Sequence, residues 1–85
     1  MKSLTTPEFW QAYAALPPAV RAAARKAYRL WKENPSHGSL QFQKRGRFWR
    51  VRIGRGYCAL ALTVDDCYLW FWIGTNDEYE RILGR

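Results

Sequence analysis

The segment Phe48–Ile53, FWRVRI, constrains the fold more than any other part of the chain. As a pleated strand it places Trp49, Val51 and Ile53 on one face and Phe48, Arg50 and Arg52 on the other. The first face has to be covered by apolar partners, while the second presents guanidinium groups. The wider stretch from Lys44 to Arg55 carries six cations and no acid in twelve residues. Arginine held on a rigid strand suits phosphate recognition, because its planar fork donates two parallel hydrogen bonds.

The surroundings of this strand indicate its cover. Thr5 or Thr6 followed by Pro7 and Glu8 reads as a capped helix start, and Phe9, Trp10, Tyr13 and Leu16 follow at helical spacing. That helix is expected to stop before Pro17-Pro18. A second helix is predicted from about Pro18 to Glu33, with Val20, Ala24, Ala27 and Trp31 as its apolar stripe and Arg21, Arg25, Arg29 and Lys32 on another face. Strands are predicted at about 40–44, 48–54, 57–64 and 67–73, joined by Arg45-Gly46-Arg47, Gly54-Arg55-Gly56 and Asp65-Asp66. The last strand is apolar on both faces, as a central strand would be. A short helix from Glu78 to Leu83, capped by Thr75 or Asn76, closes the chain. The expected class is α+β: an αα-hairpin packed on a twisted antiparallel sheet of about four strands, with a short C-terminal helix.

Eighty-five residues form one domain, spanning 1–85, and 16% aromatic content gives it a core that needs no metal or disulfide. Cys58 and Cys67 are too few for a disulfide scaffold, and Cys58 reads as a small buried strand residue. No apolar run reaches the ~18 residues of a membrane span, and the amino terminus lacks a signal-peptide core, so a cytoplasmic location is expected. The formal charge is +7, unevenly spread. Residues 19–60 carry eleven Lys or Arg against Glu33 alone, whereas residues 61–85 are net acidic. Such polarity favours a polyanionic partner for the middle of the chain.

No metal site or other cofactor site is expected, since His37 is the only histidine and sits in a Ser/Gly turn. Candidate nucleic-acid contacts are Lys44, Arg45, Arg47, Arg50, Arg52 and Arg55. If the protein cleaves RNA, Arg50 and Arg52 would stabilise the phosphorane charge. Tyr79 would then either donate a proton or stack on a base, with docking of the terminal helix as its structural alternative. Trp70 and Trp72 read first as core.

The order TTPEFW, LPPAVR, YRLWKENP, FWRVRIGRGY and WFWIGTNDEYERIL resembles the RelE/ParE toxin superfamily, in particular the small ParE-like and HigB-like toxins of bacterial type II toxin–antitoxin operons. The resemblance spans about Thr5 to Leu83. It implies a compact α+β toxin whose basic surface is covered by a cognate antitoxin, acidic and encoded in an adjacent frame. RelE-type members cut mRNA on the ribosome, whereas ParE-type members poison DNA gyrase. Arg50 and Arg52 match the lysine-x-lysine pair of the RelE strand, and Tyr79 falls near the family's C-terminal tyrosine. Cys58 stands where relatives usually have arginine, and Asn76 where close relatives usually show histidine. An uncharged Cys58 cannot stabilise a phosphorane, and Asn76 cannot shuttle a proton near neutral pH. The expectation is a toxin acting on RNA; its enzymatic form would be a ribosome-dependent endoribonuclease, against which the departures at Cys58 and Asn76 count. The alternative is a non-catalytic ParE-like protein that inhibits gyrase or only binds its antitoxin.

Overall fold

Thr6 starts the first helix as its composition predicts: Thr6 Oγ1 accepts from the Phe9 amide at 3.1 Å, and Pro7 occupies the first turn, where its missing N–H breaks no helical bond. A computed structural model describes residues 2–83. Helix α1 covers Pro7–Ala14 and α2 covers Pro18–Glu33. Arg21 of α2 reaches back to the Leu16 and Ala14 carbonyls, placing a cation at the C-terminal end of α1, where the helix dipole favours it.

The sheet has five strands rather than about four: β1 Lys2–Thr5, β2 Gln43–Arg45, β3 Phe48–Ile53, β4 Tyr57–Val64 and β5 Cys67–Thr75, in the order β1-β5-β4-β3-β2. The additional strand is β1, which pairs parallel with β5 through Lys2↔Cys67 to Thr5↔Trp70. The remaining pairs are antiparallel, and β5 is an interior strand, paired on both edges by β1 and β4, in keeping with its two apolar faces. The segment expected as a strand at 40–44 divides. Gly38–Leu40 is a 3₁₀ turn that buries Leu40, Gln41 takes a left-handed conformation at φ 45°, and pairing begins only at Gln43.

Helices α1 and α2 cover one face of the sheet, against β5 and β3 respectively. The main core lies there, with Trp31, Leu40, Val51, Ile53, Ala61 and Trp70 among its buried residues. The alternation of β3 holds: Trp49, Val51 and Ile53 join this core, and Phe48 joins a smaller cluster on the opposite face, around Cys58, Leu60 and Tyr79. β5 has one residue more than β4. Leu60 pairs with Trp72 and Ala61 with Trp70, so Phe71 is an inserted residue without a partner. This bulge re-aims the strand: Trp70 packs in the main core, while Phe71 and Trp72 both pack in the smaller cluster. Helix α3, Asn76–Leu83, lies against β4 and β5.

Candidate nucleic-acid interface

The register of β2 and β3 sorts the six cations. Gln43 lies opposite Arg50 and Arg45 opposite Phe48, so Arg45, Arg50 and Arg52 share the face turned away from the helices. Lys44 lies opposite Trp49 and belongs to the helix-covered side, at the exposed edge. Arg47 and Arg55 sit in the turns at either end of β3, a strand about 20 Å long at ~3.3 Å per residue. Gly54 and Gly56 make the second turn possible with φ of +53° and +79°. The structure thus gathers three of the six arginine and lysine candidates on one face and spreads the others along its rim.

The arginines of this face are held by neutral oxygens. Arg45 Nη2 donates to Gln43 Oε1 at 2.8 Å, Arg52 Nε to the Gly54 carbonyl at 3.0 Å, and Arg50 Nη2 to Asn76 Oδ1 at 2.9 Å. A neutral acceptor orients a guanidinium without cancelling its charge, so the face stays attractive to phosphate. Arg50 is the most constrained. Its guanidinium carbon stands 5.0 Å from the centroid of the Tyr79 ring, a cation–π distance, and its Nε is buried with no acceptor among the described residues.

Tyr79 is 8% exposed and packs on Cys58 and Leu60, so its position is that of an anchor for α3. Cys58 is fully buried beneath Arg50. Burial pushes its thiol up, against a smaller downward pull from the Arg50 charge, which keeps it protonated and unreactive at neutral pH. Cys67 pairs with Val64 at the far end of β4 from Cys58, and both cysteines are free. His37 lies in the 3₁₀ turn, where Nδ1 accepts from the Ser39 amide at 3.2 Å. Among the described residues no group of three His, Cys, Asp or Glu side chains could hold a metal ion, and no helix is long and apolar enough to cross a membrane.

On the other side of the sheet, sequence reasoning missed a groove of about 610 Å³ between α1 with β1 and the flank of α2. Its floor includes Trp31, Trp70 and Val51. One wall carries Leu4 and Trp10, both more than half exposed, and the other carries Arg25 and Arg29. The indole N–H groups of Trp31 and Trp70 find no acceptor among the described residues. The α2 pattern of Arg21, Arg25, Arg29 and Lys32 beside an apolar stripe was the available signal. The wall opposite it depends on β1, which the sequence did not reveal.

No protein-family model matches the chain, and no curated protein matches it in sequence. Solved structures do. A chain of the RelB–RelE antitoxin–toxin complex from Methanococcus jannaschii superposes with a TM-score of 0.73 at 14% identity, covering 94% of this chain and 98% of that one. The isolated RelE toxin of E. coli gives 0.63 at 14% identity, over 96% and 98%. The YoeB/ParE toxin from Agrobacterium tumefaciens gives 0.65 at 15% identity, over 88% and 98%. With its helical pair on one face of the sheet, its C-terminal helix on the other and a superposition that takes in 88–96% of it, the chain has the fold of the RelE/ParE toxin superfamily.

Proposed function

We propose that the protein is the toxin of a type II toxin–antitoxin pair that acts on RNA through the face and rim carrying Arg45, Arg47, Arg50, Arg52 and Arg55, with Lys44 at the edge. The observation that carries this reading is the set of guanidinium groups on β2 and β3. They are fixed by Gln43, Asn76 and a backbone carbonyl and so keep their full charge. The partner is an acidic antitoxin. The helix-side groove supports this, since its apolar floor and Arg25/Arg29 wall suit an amphipathic segment with carboxylates along one edge. The test is induction in a bacterial host, following translation and RNA integrity for the wild type and for an Arg45→Ala/Arg47→Ala/Arg52→Ala variant. Arrest that disappears in the variant supports the reading; equal toxicity defeats it.

A second reading, a non-catalytic inhibitor of the ParE type, draws support from the burial of Tyr79 and from the absence of a proton carrier at Cys58 and Asn76. It predicts inhibition of gyrase supercoiling by purified protein while ribosome-bound mRNA stays intact.

A further inference from the structure

The groove on the helix-covered side has a cause in the sequence of α2. The inner face of that helix carries alanine where a larger residue would reach the sheet, and Ala24 and Ala27 both line the groove. Helix α1 packs on β5 and α2 on β3, and the strand between those two, β4, contributes only Ala59 to the lining. These alanines leave open a space that leucines would fill.

Polar ties keep the walls from closing over it. Ser3 Oγ and Tyr28 OH are hydrogen-bonded at 2.8 Å, which joins β1 to α2. Trp10 Nε1 donates to Thr5 Oγ1 at 2.8 Å, joining α1 to β1, and Arg25 Nη1 donates to Tyr13 OH at 2.7 Å, joining α2 to α1. Each of the three elements that form the walls is thus tied to the other two. The resulting volume of about 610 Å³ falls within the range of preformed small-molecule sites, about 300–1,000 Å³.

The groove is also electrically one-sided. No Asp or Glu side chain is among its lining residues. Arg25 and Arg29 are exposed on one wall, and the partner of Arg25 is a neutral phenol, which leaves its charge uncancelled. In the floor, the indole N–H groups of Trp31 and Trp70 are without acceptors among the described residues. Apolar floor, cationic wall and unpaired donors together favour an occupant with an apolar body and an anionic head.

We propose that the groove binds a medium-chain acyl carboxylate, its hydrocarbon body over Trp31, Trp70 and Val51 and its carboxylate against Arg25 and Arg29. Burial of the chain supplies most of the affinity, because the guanidinium groups face water and an exposed ion pair contributes little. The charge instead selects an anion over a neutral or cationic amphiphile. The antitoxin segment proposed for the same groove presents this chemistry in a peptide, so ligand and segment exclude one another there. The inference does not rest on the toxin reading, because every group it uses is present in the isolated chain.

The experiment titrates the isolated protein with octanoate, below its micellar range, and follows the indole N–H signals by ¹H–¹⁵N NMR. Trp31→Phe and Trp70→Phe identify the two signals of the floor. Both should shift saturably, with a Kd on the order of 100 µM. 1-Octanol, the same body without the charge, should bind about fivefold more weakly, and octyltrimethylammonium more weakly again. Arg25→Ala/Arg29→Ala should bring octanoate down to the level of 1-octanol while leaving 1-octanol unchanged, which also shows that the groove is intact in that variant. Ala27→Leu, which fills the groove, should weaken both ligands at least tenfold; Ala24→Leu serves if that variant does not fold. Equal binding of octanoate and 1-octanol overturns the proposal, as does octanoate binding that is insensitive to the arginine pair. Shifts confined to the other tryptophans, or no saturable binding at all, overturn it as well.

Discussion

Among the described residues, the helix-covered face of the sheet buries ten in one continuous cluster, whereas the α3 face buries Cys58, Leu60 and Tyr79 and surrounds them with half-covered aromatics and arginine. Both faces are built from the same strands, so the difference lies in the alternation of side chains and in what covers each side. Where two amphipathic helices pack, apolar burial is dense. Where one short acidic helix packs, the strand side chains stay near water and keep their charge. The dense burial lies on the first face, and the arginines of the proposed anion contact lie on the second.

The sharpest way to break that comparison is Trp31→Ala. Trp31 is 4% exposed and lies against Tyr28, Phe42, Tyr68 and Trp70 at ring-centroid distances of 5.4 to 6.1 Å. Truncating it should cost about 3–5 kcal/mol, measured by denaturant unfolding. A loss below 1 kcal/mol would mean that the helix-covered face is not the main source of stability.

Gly74→Ala probes the sparser face and should cost less, about 1–3 kcal/mol. A Cβ built at Gly74 would stand 2.5 Å from Trp72 Cζ2 and 2.7 Å from Glu78 Oε1, so the Trp72 ring or the cap of α3 must shift. The unfolding midpoint should fall, and protection of the α3 amides should fall with it. Protection that stays intact would show that α3 is held independently of the strand end.

These two sites also show what could be read in advance. The Thr6-Pro7 cap, the α2 stripe, the β3 alternation and the glycine turns are local patterns, and each formed where its spacing placed it. β1 has only four residues, KSLT, and its partner β5 lies more than sixty positions away, so no local pattern marks it. The bulge at Phe71 breaks an alternation that the run of aromatics already obscures. The contact of Arg50 with Asn76 spans 26 positions, and neither residue signals it alone. Thus the charge of the face and the short helix were legible, and the contact between that helix and the central arginine was not.

Thiol labelling separates the two cysteines by their burial. Cys58 is fully buried and its thiol is pushed up by burial, whereas Cys67 is partly exposed at the end of β5. In the folded protein Cys67 should react first with a small disulfide reagent near neutral pH, with Cys58 reacting only as the protein opens. A raised thiol favours the protonated form in the folded state. This contribution to stability is fully present below the unfolded thiol value, near pH 8.5, and is lost as the pH rises through the higher folded value. Equal labelling rates at pH 7 would place Cys58 within reach of solvent and contradict its packing beneath Arg50.

The smallest expected effect concerns the cap of α3 and its response to acid. Hydrogen bonds from the amide and hydroxyl of Thr75 hold the Glu78 carboxyl below the usual glutamate range. The folded value is the lower one, so the stabilisation is present at neutral pH, above the unfolded value near 4.3. It is lost as the pH falls from there through the folded value. Glu78 is exposed, and screening by water keeps the contribution small. Thr75→Ala removes both bonds of the Thr75 hydroxyl while leaving the one from the residue-75 amide to Glu78, and should cost about 1 kcal/mol, concentrated in α3. Glu78→Gln should retain part of the capping geometry while removing the acid response. Hydrogen exchange of the α3 amides between pH 3 and 7, corrected for intrinsic rates, distinguishes the two variants. In the wild type, protection should decline on acidification below the ordinary glutamate range; in Glu78→Gln it should stay level. A level profile in the wild type would mean that Arg50 and Tyr79 hold α3 without help from its cap.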